Sequence, residues 1–110
     1  MSAQELRQLK IKTGSVKRLR KEMDYYAKEV QEEHEKVEKL KSQGVDPPNL
    51  QQAEMVLAES KAMIPDTKQR LEAAIADLKK FLEESEKELS GAEELGTANE
   101  ILADAEAAVA

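Results

Sequence analysis

The chain offers few side chains whose types and spacing suit catalysis or metal binding. Cysteine is absent, and His34 is the only histidine, in a run with Glu32, Glu33 and Glu35. A structural zinc site draws its ligands mainly from cysteine and histidine, and a lone helical histidine is usually a packed or solvated side chain. We therefore expect neither a metal nor a cofactor, and the lack of cysteine excludes disulfides and thiolate chemistry.

Two further features of the sequence could suggest catalytic chemistry, and neither supports it. Lys12-Thr13-Gly14 is similar to an element of penicillin-binding enzymes, but no serine is followed three positions later by lysine, as their second element requires. Glutamates are abundant, yet a general acid or base needs a concave, partly dry pocket to shift its pKa. A thin helical protein offers no such pocket, so we predict that the protein is not an enzyme.

Charge along the chain is distributed unevenly. The net charge is −6, yet residues 1–21 hold seven basic side chains and one acidic one, whereas the remainder holds ten and twenty-two. A basic block indicates either nucleic acid or an acidic protein as partner. Because the block lacks interleaved aromatic residues and matches no groove-reading motif, we favour an acidic protein and predict no nucleic-acid binding.

Two long stretches, which we call the heptad rows, repeat apolar residues every seven positions, as packed helices do. The first predicts a helix over about residues 3–42, with Leu9, Val16, Met23, Val30 and Val37. The second predicts a helix over about residues 47–88, with Leu50, Leu57, Ile64, Leu71 and Leu78. The apolar stripe of the second helix drifts later to Ile75, Leu82 and Leu89, which indicates a further neighbour there.

Two breaks separate the helices. Gly44 suits the position after a helix end, and Asp46 before Pro47 suits the start of the next helix. So short a loop requires an antiparallel hairpin. The second break, at Ser90 and Gly91, precedes a third helix over about residues 92–109, and either Ser90 or Thr97 could cap its start.

These elements predict an all-α fold: one domain over residues 1–110, an antiparallel three-helix bundle with two long helices and a shorter C-terminal one. Pro65 lies inside the second row, where a proline costs about 3 kcal/mol or more, so we predict a kink. The kink either wraps the helix around the core or shapes a surface for a partner. The sequence leaves both open.

Helix lengths predict uneven coverage. The third helix can cover the second only from about Leu71 to Leu89, which leaves Val56 and Met63, and further round Met55 and Ala62, poorly covered. Methionine suits adaptable apolar contact with another protein, although Met55 and Met63 could also fill gaps in the hairpin core. The same geometry brings the basic block near Glu83–Glu88 and Glu93-Glu94, so pairing within the chain is an alternative to an acidic partner.

No apolar run approaches the length of a membrane span, and the polar start is unlike a signal peptide. We therefore expect a cytoplasmic protein that does not bind membranes. We expect the protein to be a monomer, although a dimer could form through the part of the heptad rows that the third helix does not cover. A self-associating structural coiled coil is the alternative function from another class.

Two blocks carry a resemblance to a known family. Residues 9–19 (Leu-Lys-Ile-Lys-Thr-Gly-Ser-Val-Lys-Arg-Leu) and 59–66 (Glu-Ser-Lys-Ala-Met-Ile-Pro-Asp), the latter continuing to Arg70-Leu71-Glu72, resemble tubulin-binding cofactor A. The resemblance spans nearly the whole chain. It implies an ATP-independent chaperone that captures β-tubulin after chaperonin release, on the way to the α/β heterodimer, and an association with the cytoskeleton.

The residues that we predict to bind the partner fall into two groups. Those for electrostatic capture are Lys10, Lys12, Lys17, Arg18 and Lys21. Those for the apolar and kinked contact are Met55, Met63, Pro65 and Asp66, flanked by Glu59 and Arg70.

Overall fold

The computed structural model describes residues 2–110. Three helices follow one another, α1 (Ala3–Ser42), α2 (Pro47–Leu89) and α3 (Glu93–Val109), and residues 2–110 contain no strand. The predicted all-α three-helix bundle is confirmed. Pro65 lies inside α2, which continues through it as one helix, and the kink stays a prediction.

The first connection is built as the sequence predicts. At the end of α1, the N–H of Gly44 donates to the carbonyl of Lys41 and the N–H of Val45 to that of Leu40. These two bonds form a Schellman motif, which needs a left-handed residue after the helix. Gly44 supplies it with φ of 66°, so its predicted position is confirmed.

The start of α2 also follows the sequence. Pro47 is the first helical residue, where its missing N–H is not needed. The carbonyl of Asp46 accepts hydrogen bonds from the N–H groups of Asn49 and Leu50. The Asp46 carboxylate accepts another from the Asn49 side-chain amide at 2.7 Å.

The cap of α3 differs from both alternatives that the sequence allowed. Ala92 occupies the N-cap position and makes no side-chain cap hydrogen bond, so neither Ser90 nor Thr97 caps the helix. Glu93 and Glu94 lie in the first turn, where the helix dipole stabilises negative charge. The difference therefore lies in the capping residue alone.

The chain groups into two compact units. Unit 1 consists of the residues of α1 up to Lys21 together with Lys68–Ala110, and therefore contains all of α3. Unit 2 is Glu22–Thr67, which holds residues of α1 and α2 and the loop between them. The prediction of a single domain over residues 1–110 stays a prediction.

Unit 1 has a core to which all three helices contribute. Its fully buried residues from the heptad rows and from α3 are Leu9, Val16, Leu71, Leu78, Ala98 and Ala105. Ile75 and Leu89 are buried as well, whereas Leu82, the third residue of the predicted drift, is half-buried. The drift of the apolar stripe along α2 thus lies in unit 1, the unit that contains α3.

Unit 2 has a smaller core made by two helices. Val37, Ala53 and Leu57 are buried, and Val30, Leu40 and Leu50 pack against them while staying half-buried. Ser60 is buried on the same face of α2, and its hydroxyl donates to the Glu29 carboxylate at 3.1 Å. A polar contact between α1 and α2 thus stands beside the apolar ones.

Replacing Gly44 by alanine should lower the free energy of unfolding by about 1 kcal/mol, because a Cβ is unfavourable in the left-handed conformation. No steric clash contributes, since a Cβ there would meet nothing within 4 Å. Gly96→Ala is the matched control: Gly96 lies inside α3, also in open space, so that variant should be more stable. Denaturant unfolding measures both changes, and equal signs would contradict the prediction.

Candidate partner-binding surfaces

One side of α1 in unit 1 carries most of the basic block. Residues at helical spacing share a face, and seven such residues, which we call the basic stripe, are all exposed. They are Arg7, Lys10, Ile11, Gly14, Lys17, Arg18 and Lys21. The stripe includes four of the five residues predicted for electrostatic capture and, in Ile11, an apolar side chain that is 55% exposed.

The fifth predicted residue, Lys12, lies off the stripe. Its ammonium group is 2.7 Å from an Asp77 carboxylate oxygen and 5.8 Å from the centre of the Phe81 ring. Arg20, another residue of the basic block, has its Nε 3.3 Å from an Asp104 carboxylate oxygen. Part of the basic block is therefore engaged within unit 1.

The basic stripe is only partly engaged. Arg18 takes part in an interaction within the chain. Lys10, Lys17 and Lys21, in contrast, make no ion pair with any residue in the described range 2–110. Pairing within the chain thus accounts for only part of the basic block, and these three lysines have charge available for a partner.

The internal partners are not those that the sequence suggested. Lys12 and Arg20 pair with Asp77 and Asp104, rather than with Glu83–Glu88 or Glu93-Glu94. Asp77 is level with Lys12, and Glu83 lies six residues further along α2, which is about 9 Å at the rise of an α-helix. The expected pairing failed because heptad spacing fixes the face of a residue but not its exact level against a neighbouring helix.

Thr13 is a buried polar residue of unit 1, 9% exposed, on the α1 turn next to the stripe. Its hydroxyl oxygen has no hydrogen-bond partner among residues 2–110. A buried hydroxyl without a partner lowers stability by about 1–3 kcal/mol. Thr13 is therefore a weak point of the core of unit 1.

The second predicted group lies mostly in unit 2. The expected poor coverage is confirmed for Met55, which is 55% exposed, and for Ala62, which is also exposed. Val56 and Met63 are half-buried and, with Glu59, line a shallow hollow of about 300 Å³. Met63 therefore both packs and remains accessible.

The remaining residues of this group differ in exposure and in partners. Pro65 is exposed and Asp66 is half-buried, both in unit 2, while Arg70 is exposed and belongs to unit 1. Asp66 and Arg70 each take part in an interaction within the chain. Met55 and Pro65 are thus the members of the group that present the most accessible apolar surface.

Tyr25 is an exposed residue of unit 2 that the sequence reasoning missed. The residue is 63% exposed, and its ring meets the ring of Tyr26 edge-on, with centroids 5.3 Å apart. A hydrogen bond to Glu29 and the negative charge of that carboxylate raise the pKa of Tyr25. Tyr25 lies off the heptad row beside Tyr26, and this offset was the available signal that its ring faces outwards.

The described residues contain no group of three or more histidine, cysteine, aspartate or glutamate side chains placed to hold a metal ion. None of the helices described above is both long and apolar enough to span a bilayer. What the structure presents is two exposed surfaces, one basic and one apolar, each on the outside of helices.

Comparison with known proteins identifies the family. The family model described as "Tubulin binding cofactor A" matches residues 4–102. The Tubulin-specific chaperone A of Gallus gallus is 49% identical over 102 residues, which are 93% of this chain and 94% of that protein. The chain belongs to the tubulin-binding cofactor A family. The resemblance carried by the two sequence blocks is thereby confirmed, since both blocks lie inside the matched range.

Solved structures of the tubulin-binding cofactor A family share the fold. The crystal structure of tubulin folding cofactor A from Arabidopsis thaliana has a TM-score of 0.84 at 45% identity, covering 96% of this chain and 98% of that one. A structure described as RBL2P, a β-tubulin binding post-chaperonin cofactor, has a TM-score of 0.78 at 33% identity, with 93% and 97% covered. The likeness extends over nearly the full length of each chain.

Replacing Thr13 by valine should raise the free energy of unfolding by about 1 kcal/mol, because valine keeps the branched shape and removes the hydroxyl that lacks a partner. Ser60→Ala is the control with the opposite sign, since it removes a hydroxyl that donates to Glu29. Chemical denaturation monitored by circular dichroism compares the variants. A less stable T13V protein would show that this hydroxyl does find a partner in solution.

Proposed function

We propose that this protein is a tubulin-folding chaperone without catalytic activity, which works in the cytoplasm and needs no ATP. It captures β-tubulin after release from the chaperonin and holds it on the way to the α/β heterodimer. The observation that carries the proposal is the near full-length likeness to proteins named as tubulin-specific chaperones and as a β-tubulin binding post-chaperonin cofactor.

The basic stripe is suited to the first encounter. Lys10, Lys17 and Lys21 are exposed, and no ion pair within residues 2–110 neutralises them. Charges in such a position accelerate association with an acidic partner, and salt screens the effect. Lys12 joins them in the proposed site by exchanging Asp77 for a partner carboxylate, because partly exposed ion pairs contribute only about 0–1 kcal/mol.

The exposed apolar residues of unit 2 are suited to hold an incompletely assembled protein. Met55 presents a flexible and polarisable side chain, which adapts to an irregular surface. Met63 and Glu59 line the hollow beside it on α2, and Pro65 and Asp66 follow one turn later. We include Arg70, which also takes part in an interaction within the chain, as the charge that flanks these residues along α2.

The rival function is a structural protein that associates with itself through exposed apolar side chains such as Met55 and Tyr25. Light scattering separates the two functions. A monomer at all concentrations supports capture of another protein, whereas a dimer that forms with rising concentration supports self-association. We expect a monomer, since Tyr25 and Met55 are the only large apolar side chains exposed within Glu22–Thr67.

The decisive experiment incubates the protein with freshly released β-tubulin in the absence of ATP. A one-to-one complex on a native gel is the expected result. Absence of a complex under conditions in which β-tubulin stays soluble would overturn the proposed function.

Reversing two charges of the basic stripe tests electrostatic capture. The double variant K17E/R18E should bind β-tubulin about tenfold more slowly at low salt and show a weaker salt dependence. Its matched control is K36E/K39E, which changes the net charge equally at two exposed lysines of unit 2. Stopped-flow measurements compare the association rates, and equal slowing by both variants would show that only net charge matters.

Replacing Pro65 by alanine tests whether this proline lowers helix stability and at the same time contributes to partner binding. Pro65→Ala should stabilise the protein by about 3 kcal/mol, because alanine restores a backbone N–H and removes the ring from the helix interior. It should also weaken β-tubulin binding. A variant that is more stable and binds as tightly as the original chain would remove Pro65 from the proposed site.

A further inference from the structure

Unit 1 has an open groove of about 240 Å³ between α1 and α3. Leu9, Thr13 and Gly14 line it from α1, and Thr97 and Ile101 line it from α3. Most of this lining is apolar or small. The groove can therefore receive an apolar side chain of another polypeptide, as shallow clefts between helices do.

Gly14 is the residue of the groove that the fold itself does not explain. It lies in the interior of α1 with a negative φ, so no turn or left-handed conformation requires glycine there. A Cβ added at this position would meet nothing within 4 Å. Glycine in a helix interior is less stable than alanine. What glycine provides in return is open space in the groove.

Charge on the same groove indicates the chemistry of its occupant. Lys10 and Lys17 line it from α1, about two turns apart, while Glu94 lines it from α3. Neither lysine is in an ion pair within residues 2–110. Arg7 and Lys21 extend the positive charge along the exposed stripe on both sides. This balance favours an acidic segment.

We propose that the groove at Gly14 docks an acidic segment of the captured polypeptide, with an apolar side chain seated between Gly14 and Ile101. Carboxylates that flank this side chain pair with Lys10 and Lys17. The proposal rests on the proposed function, because β-tubulin supplies the segment. In this proposal, Gly14 leaves room for the partner's apolar side chain. Electrostatic attraction to the lysines alone would not require a glycine at this position.

The test compares Gly14→Gln with Gly96→Gln. Both glycines lie inside helices and in open space, but Gly96 does not line the groove. Both variants should unfold at a higher temperature than the original chain, since glutamine is the better helix former. Only Gly14→Gln should weaken binding of β-tubulin, by about tenfold, because its side chain occupies the docking space.

Titration of β-tubulin against the three proteins on a native gel separates the outcomes. Equal affinities for all three would overturn the groove while leaving the proposed function standing. Equal loss in both variants would also overturn it, since the effect would then not depend on the groove. If the original chain itself forms no complex, the proposed function fails and the groove proposal fails with it.

A second measurement distinguishes the groove from the charges around it. The loss in Gly14→Gln should persist at high salt, because an excluded apolar contact is not screened. The loss in a K10E/K17E variant should shrink as salt rises. A Gly14→Gln loss that vanishes at high salt would contradict the seating of an apolar side chain.

Discussion

The constraint on which this structure depends is the difference in length between its helices. α1 and α2 have 40 and 43 residues and α3 has 17, so at 1.5 Å per residue α3 extends only about 26 Å against about 60 Å. Both long helices nevertheless carry an apolar row along almost their whole length. A third helix can complete the burial of only part of those rows, and unit 1 is that part.

Burial along the heptad rows records this difference. In unit 1, Leu9 and Leu78 are completely buried, whereas Val30 and Leu50 in unit 2 stay half-buried at equivalent row positions. Unit 2 also places the hydroxyl of Ser60 in its core, where it needs the Glu29 carboxylate as acceptor. Polar contacts of this kind fix the level at which two helices meet and add little stability. At these row positions unit 2 is therefore the less completely buried unit.

The helices could be predicted from the sequence because heptad spacing and breaker residues act locally. Gly44 ends α1 through its own φ, and Pro47 begins α2 through its own ring, so neither depends on distant parts of the chain. The cap of α3 could not be predicted, since Ala92 offers no capping side chain.

The candidate surfaces were predictable in part, because heptad spacing also indicates which residues of a helix face outwards. The exposure of Met55 followed from its offset from the heptad row, and that of Tyr25 could have been found in the same way. Ion-pair partners were not predictable, because they depend on the level of one helix against another to within a few ångströms. The choice of Asp77 by Lys12 is an example. Hence the sequence indicated which side of α1 is basic but not which lysines remain available.

Gly14 and Pro65 share a property that links packing to function. Each lowers the stability of the helix that contains it, and each is exposed. For Gly14, an added Cβ would meet nothing within 4 Å, so no close internal packing requires glycine there. On the proposed function, the lost helix stability is compensated by binding, because the partner makes a contact at this position that a larger side chain would block. A chaperone must also release the polypeptide that it binds. Contacts made only in the complex are lost on release, and the free chaperone then returns to its original conformation.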